Sequence, residues 1–450
     1  MTNNRREQRG WYFYDWANSA FSTTVVTVFL GPYLTTITKA AADAQGFVYP
    51  LGIKVNAGSF FPYIVSLSVL FQVIFLPILG AIADYSHRKR QMMALFAYLG
   101  AFATMGMYFL YGTHYVLGGL LFLIANLSFG ASVVFYNAFL PEIARPEERD
   151  SVSSIGWALG YLGGGLLLAL NLAWIQKPEW FGLPAGPGLT DAQSTLPARL
   201  SFLSVALWWL VFAIPLFRRV GEPPRLSNAD AHPGRSLFAA TFVSLARTFR
   251  DLRRFRQALL MLVAFLIYND GIGTIIRMAA SYGTELRIGQ GAVIGAFLLV
   301  QFIGIPFAIA FGALASRIGA KRAIFVSLVV YAGISVLGYF MKSAREFYAL
   351  AVLVGMVQGG SQALSRSLFA SMIPRERSAE FFGLFAIFEK FAGIIGPAIF
   401  AGTIAATGSS RNAILSVIAF FIVGGLLLAR VDVEEGRRAA REAEREEGAR

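Results

Sequence analysis

Apolar and polar positions in this chain segregate into long blocks instead of alternating residue by residue. Apolar runs cover roughly 15–37, 59–83, 91–111, 116–138, 155–173, 200–217, 258–280, 291–313, 323–341, 347–369, 381–406 and 412–430. A helix needs about 20 apolar residues to cross a bilayer, and a helix is the form that satisfies its own backbone in hydrocarbon. The pattern therefore predicts an all-α membrane protein with twelve transmembrane helices.

The polar blocks between these runs repeat. GAIADYSHRKR, Gly80 to Arg90, returns 232 residues later as GALASRIGAKR, Gly312 to Arg322. FLPEIARPEERDS after the fourth run is matched by SMIPRERSAE after the tenth. An even number of spans separates the copies, which predicts two parallel six-helix repeats. The expected organisation is an N-terminal half over 1–217, a linker over 218–257, a C-terminal half over 258–430 and a charged tail over 431–450. In the linker, Leu237, Thr241, Leu245, Phe249 and Leu252 fall on one helical face, with Arg247, Arg250 and Arg254 on another. This segment reads as an interfacial helix resting on anionic lipid headgroups, or as a solvated linker helix. The tail reads as a frayed helix.

Composition sharpens the membrane reading and removes chemistry. Residues of the AVILMFWYC set make up 56% of the chain, with 45 further glycines and only 14% charged residues. Soluble domains reach about 45–50% with glycine included. There is no cysteine, and His87, His114 and His232 all fall in loops. No metal cluster, thiol chemistry, phosphate loop or nucleophile–base set is expected, so the chain is read as neither an enzyme nor a cofactor binder. The first apolar run contains Asp15 and is too long for a cleavable signal.

The net charge of +13 would suit nucleic acid, but its distribution does not. Assigned to alternating faces, 28 Lys and Arg fall with the termini and only eight opposite. By the positive-inside rule both termini and the linker lie in the cytoplasm, as in a multi-pass protein of a bacterial-type inner (plasma) membrane. No nucleic-acid or protein partner is inferred.

Two six-helix halves with GxxxD…RKR after the second span resemble the major facilitator superfamily. The first copy keeps Asp84, Arg88 and Lys89, and the second keeps Arg317, Gly319 and Lys321 but has Ser316 at the acidic position. The resemblance implies that Asp84, Arg88, Lys89 and Arg317 gate the cytoplasmic side. YDWANSAFSTT (14–24), SSIGWALGYLGGGLLL (153–168), YNDGIGTIIRMAASYG (268–283), QALSRSLFASMIP (362–374) and AEFFGLFAIFEKF (379–391) are similar to the so-called unknown major facilitator branch. That branch is kin to the fungal autophagy-related vacuolar amino-acid effluxers. The resemblance implies the major facilitator fold, secondary transport, and a central cavity lined by helices 1, 4, 7 and 10.

Those four helices also carry the polar residues that are costly to bury in a bilayer. Gln358, Gln362, Ser365 and Arg366 share a face of helix 10, and Asn126 and Asn137 share a side of helix 4. Asn269, Asp270, Thr274 and Arg277 lie on helix 7, with Asp270 and Arg277 about 10 Å apart along the axis. Asp15, Asn18, Ser19 and Ser22 cluster on helix 1, where Asp15 is a gating candidate.

Asn18, Asn126, Asn137, Asn269, Gln358, Gln362 and Arg366 are the substrate-binding candidates. Arg366, about 12 Å inside the cytoplasmic end, suits a carboxylate. Asp270 suits an amino group or a proton, and Glu389 is a second proton carrier or a buried ion pair. Asp270 paired with Arg366 or with Arg277 would instead be interhelical structure. The Gly156-x-x-x-Gly160-Tyr161-x-x-Gly164-Gly165 run of helix 5 permits close packing. It also resembles the helix-5 signature of proton-driven antiporters, with Tyr161 in place of proline. The expected function is proton-coupled export of a small polar or zwitterionic solute such as an amino acid, by alternating access. A multidrug exporter lined by Tyr136, Trp157 and Phe369, or a lipid flippase, are the alternatives.

Overall fold

The computed structural model describes residues 2–86, 88–222, 254–285, 288, 290–393, 395–407 and 409–448. Twelve helices among them are long and apolar enough to cross a membrane. They are α1 (Arg5–Ala40), α2 (Ala57–Asp84), α3 (Lys89–Phe109), α4 (Tyr115–Ile143), α5 (Arg149–Gln176) and α6 (Leu196–Arg219), followed by α7 (Arg256–Ala279), α8 (Ala292–Ile318), α9 (Ala320–Phe340), α10 (Ala344–Ala370), α11 (Arg375–Ile404) and α12 (Arg411–Ala429). Each corresponds to one predicted apolar run. The amphipathic segment expected between the sixth and seventh spans, and with it the lipid-headgroup contact, lies largely outside the described residues.

The described ends of the chain lie on one face of the bundle, called here the terminal face, where Gln8 donates to the Ile143 carbonyl at 3.0 Å and Glu444 meets Arg375. Fully buried aromatic side chains such as Trp11, Tyr14, Trp209, Phe265 and Tyr268 fill the interior, while Leu70, Phe102 and Leu426 stay exposed on the outer surface. A bilayer replaces water around that surface, so exposed leucines cost nothing there. On the opposite face, a short hairpin pairs β1 (Phe47–Val48) with β2 (Val55–Asn56). Asp43 pins it by accepting from the Phe47 amide at 2.8 Å and the Tyr49 hydroxyl at 2.8 Å. The Phe47 amide, and then that hydroxyl, hold the Asp43 carboxyl below its usual range.

Three local departures from simple spanning helices shape the interior and the terminal face. The middle of α1 is a π-helix over Phe21–Phe29, where the Thr27 hydroxyl donates to the Ser22 carbonyl at 2.7 Å. Such segments are rare and recur at functional sites. The eleventh span, read from sequence as one helix over 381–406, is two half-helices: α11a (Ser378–Phe391) and α11b (Ile395–Thr407). Gly393 adopts φ +142° at the junction, a backbone that side-chain-bearing residues rarely take. The predicted frayed tail is a helix, α13 (Val433–Gly448), docked on the terminal face. There Arg254 meets Glu446 in a two-point ion pair at 2.7 and 2.8 Å, and Glu444 accepts from the Arg375 amide at 3.1 Å.

Candidate functional site

A cavity of about 350 Å³ occupies the half of the bundle away from the terminal face. Ser19, and Ser22, Thr23 and Thr27 of the π-helical stretch, line it from α1, and Thr274, Ser335, Gln301 and Gln358 add polar groups from α7, α9, α8 and α10. The remaining wall is apolar, including Ile275, Phe297, Val354 and Phe400. No lining residue among those described carries a formal charge. Tyr161 reaches the cavity from α5, its ring filling the space left by Gly304 on α8 and Gly359 on α10.

Trp157 and Gly160 form the cavity floor, and the charged groups lie beneath it. Arg366 of α10 is buried and crosses from the second six helices to the first. Its Nε donates to the Ser153 hydroxyl at 2.9 Å, one terminal nitrogen to the Asn137 carbonyl oxygen at 3.2 Å, and the other to the Ser153 carbonyl at 2.9 Å. The Asp15 carboxylate stands 3.6 Å from the guanidinium and accepts from the Tyr136 hydroxyl at 2.7 Å. Trp11, stacked 4.2 Å from Tyr136, holds the guanidinium against its face at 4.8 Å, with Trp157 on another side at 5.8 Å. Every polar edge of Arg366 is satisfied and its planar faces are covered, so a buried cation is sustained here.

A second carboxylate lies deep in α7. Asp270 is 1% exposed, and its Oδ2 accepts from the Gly396 amide at the start of α11b at 2.9 Å. Its Oδ1 has no hydrogen-bond partner and stands 3.8 Å from Arg277. Of the two structural pairings open at the sequence level, the geometry contains the one with Arg277, while Arg366 pairs with Asp15.

The other candidates separate by contact. Among the proposed substrate residues, Gln358 lines the cavity. Gln362 donates to Asn269 at 2.6 Å and joins α10 to α7, while Asn126 donates to Ser68 at 2.5 Å and joins α4 to α2. Asn137 serves Arg366, and Asn18 is buried one turn beyond Asp15 without lining the cavity. Glu389 is half-buried near the end of α11a, away from the cavity lining. Of the aromatic residues suggested for a drug cavity, Trp157 lines it, Tyr136 packs under Arg366, and Phe369 packs on Phe382 and Phe385.

The terminal face is closed by contacts between the two sets of six helices. Lys89, 2% exposed, lies 3.2 Å from Asp84 and 2.5 Å from Glu142, and donates to Ser378 at 2.9 Å. Asp84 in turn accepts the Glu380 amide of α11a at 2.8 Å. Arg149 donates to the Ala370 carbonyl at 3.2 Å, and Ser153 to Ala363 at 2.7 Å. Arg88 and Arg317 are exposed and stand outside this network.

Sequence reasoning did not single out Thr23, Thr27, Gln301 or Ser335 for the cavity, nor Glu142 and Ser378 for the gate. Gln301 carried the same signal as the residues that were chosen, a polar side chain in the apolar run LLVQFIG, but on a helix outside the expected four. Glu142 was hidden in a loop motif, where an acid is unremarkable.

A twelve-helix bundle with a central cavity and cross-bundle seals on one side defines a major facilitator-type transporter. The chain belongs to the family described as "Vacuole effluxer Atg22 like", whose model matches residues 3–441. It is 33% identical over 429 residues to an uncharacterized MFS-type transporter, YxiO, of Bacillus subtilis (strain 168), covering 95% of each chain. It is 25% identical to autophagy-related protein 22-1 of Penicillium rubens, covering 97% of this chain and 91% of the relative. Among solved structures it shares its fold with the proton:xylose symporter XylE, at TM-score 0.69 and 13% identity over 98% of this chain and 99% of that one. It also matches FucP in the outward conformation, at TM-score 0.64 and 14% identity over 95% and 98%. The family and these relatives are membrane transporters, not enzymes.

Proposed function

We propose that the protein is a proton-coupled exporter of small zwitterions with an apolar side chain, amino acids foremost, working by alternating access. The observation that carries this reading is the Asp15–Arg366 pair under the cavity floor, which joins the two sets of helices and is held in an aromatic cage. A solute entering from the terminal face would meet an acid and a base already paired with each other. Its carboxylate competes with Asp15 for Arg366 and its ammonium competes with Arg366 for Asp15, so binding exchanges a protein ion pair for two solute contacts. The apolar wall above suits the side chain, and its hydroxyls suit a solute leaving with its water restored.

Asp270 is the proton carrier in this reading, being a buried carboxylate with one oxygen free of hydrogen bonds. The excess of basic residues with the termini supports a cytoplasmic terminal face, and the membrane in this reading is the plasma membrane. The cavity then opens outward. The alternative of a multidrug exporter draws on one feature, the uncharged lining among the described residues, which suits neutral amphiphiles.

Proteoliposomes loaded with a labelled amino-acid mixture and given an acid gradient decide between these. Gradient-driven flux of amino acids is expected, and its absence for every amino acid overturns the substrate assignment. Arg366→Lys keeps the charge but loses the fork geometry. It is expected to reduce transport of carboxylate-bearing solutes about ten-fold or more while sparing neutral ones. Equal losses for both would make Arg366 purely structural.

A further inference from the structure

The break in α11 joins two differently anchored pieces. Its first piece, α11a, is fixed to the terminal-face gate. Asp84 accepts its Glu380 amide, and Gly383 lies so close to Pro77 of α2 that an added Cβ would stand 2.9 Å from the Pro77 Cα. The second piece, α11b, forms part of the cavity wall through Phe400. Between them Gly393 takes its left-handed φ of +142°, with the Arg277 guanidinium over it. What holds α11b in place is Asp270: its Oδ2 accepts the Gly396 amide at 2.9 Å, and the amides of Ile395 and Gly393 face the same carboxylate. Gly396 has no room for a side chain, since a Cβ there would lie 1.9 Å from the Thr274 hydroxyl and 2.8 Å from Asp270 Oδ1.

An ionised carboxylate at a helix start satisfies its free amides and complements its dipole. We infer that Asp270 is a proton-operated clamp on a hinge in helix 11: ionised, it caps α11b and holds it in the cavity wall; protonated, it releases α11b to pivot about Ala392 and Gly393. The proton binds Oδ1, the oxygen without a hydrogen-bond partner, reached from the cavity past Thr274. Binding leaves Oδ2 a neutral, weaker acceptor for Gly396 and ends the charge pairing with Arg277. Arg277 is the charged group that faces Asp270. From α12, Phe420 and Phe421 pack on the neighbouring Gly271, and α11b presents backbone amides. Glu389 and Lys390 of α11a form no ion pair or hydrogen bond with it among the described residues. Because α11a is tied to the gate and α11b to the cavity wall, one titration at Asp270 acts on the segment that connects both. Asp270 is thus a positioning residue for transport, and this role rests on its assignment as the proton carrier.

The chain contains no cysteine, so single-cysteine labelling has no background. Phe400→Cys reports on α11b and Ser335→Cys reports on the facing α9 wall, each labelled with a membrane-impermeant maleimide in vesicles without substrate. Maleimide reacts with the thiolate, so both rates fall with thiolate fraction on acidification, and the Phe400→Cys rate relative to the Ser335→Cys rate is expected to rise several-fold. Asp270→Asn should fix that ratio at its acid value at every pH. Gly396→Ala, which keeps the carboxylate but cannot seat the cap, should do the same and serves if Asp270→Asn folds poorly.

A wild-type ratio that ignores pH, or a pH-dependent ratio that survives Asp270→Asn, overturns the clamp. Equal acceleration at Ser335→Cys, with both rates divided by the thiolate fraction, also overturns it, because the whole cavity would then be opening. Loss of uphill transport in Asp270→Asn with unchanged labelling keeps the proton carrier and overturns the hinge. The labelling signature without any proton-driven flux overturns the transport reading and keeps the clamp.

Discussion

The loops at 80–90 and 312–322 share a sequence pattern and equivalent places at the ends of α2 and α8, yet they fasten different things. In the first, Lys89 is buried between Asp84 and Glu142 and reaches Ser378, so the loop ties one set of six helices to the other. In the second, Lys321 donates to the Ala429 and Val431 carbonyls at 2.8 Å each, capping the end of α12 within its own set. Among the described residues Ser316, where the first copy has Asp84, donates to its own helix at Ala313. The seam beside it, between α5 and α8, is held by the close approach of Gly312 to Ser154 and by the Tyr161 wedge against Gly304. A basic residue in this motif therefore joins the gate where acids of its own set, Asp84 and Glu142, hold it buried against Ser378 of the other set; without them it becomes a helix cap.

The sharpest way to break this contrast is to remove each lysine. Lys89→Met strands two acids in a site it had neutralised, and breaking a buried ion pair costs about 3–5 kcal/mol. That predicts a shift of the terminal-face equilibrium towards open by about a hundred-fold or more. Lys321→Met removes two hydrogen bonds to carbonyls at a helix end, about 1 kcal/mol each, and leaves no buried charge behind. Distances between spin labels on Glu147→Cys and Arg322→Cys, one on each set of helices, read that equilibrium directly. Equal effects from the two lysines would mean that both loops latch the gate, against the geometry.

The backbone-scale features of this fold were legible in the sequence because a bilayer enforces them. A run of 20 apolar residues has no cheap alternative to a spanning helix, and each of the twelve appeared where the runs lay. The break in α11 was not legible, since FAGIIGP is as apolar as its surroundings and the residue that caps it, Asp270, lies on a different helix. The same limit applied to the site. Dehydration cost singles out Asp15, Asp270 and Arg366, and all three are buried, but it ranks burial and not partners. Which acid meets Arg366 depends on the heights of α1 and α7 against α10, and periodicity along one helix does not encode that. The tail was read as a helix, and its docking was not legible for a related reason: Arg254, Ser371 and Arg375 are brought beside it from other segments.

A smaller effect sharpens the comparison at the two glycines. A Cβ on Gly80 would stand 2.3 Å from the Ala379 carbonyl oxygen, which is backbone and cannot turn aside. One on Gly312 would stand 2.8 Å from the Cβ and hydroxyl of Ser154. Overpacking of this kind costs about 1–3 kcal/mol, so both alanine substitutions should open the terminal face, Gly80→Ala the more. Ser154 has a hydroxyl with no hydrogen-bond partner, so Ser154→Gly removes the obstacle without losing a bond. The double variant Gly312→Ala/Ser154→Gly should recover most of the closed population in the same spin-label experiment. No side-chain truncation should rescue Gly80→Ala. Failure of the Ser154 rescue would place the α5–α8 seam under backbone control as well.

The smallest effect tests whether the missing acid is what separates the copies. Ser316→Asp restores the motif's acidic position in the second loop. If the acid alone made a latch, this change would strengthen closure. The surroundings argue the reverse. Lys321 is already committed to the α12 carbonyls, and the α5 start that packs on Gly312 bears Glu147, Glu148 and Asp150. A carboxylate at the exposed C-terminal end of α8 also opposes the helix dipole, worth about 0.3–1 kcal/mol. The closed population should therefore fall slightly, by less than about five-fold, and the fall should shrink as salt is raised. A rise in closure would show that the acid recruits its own base, and that the asymmetry between the loops is one substitution deep.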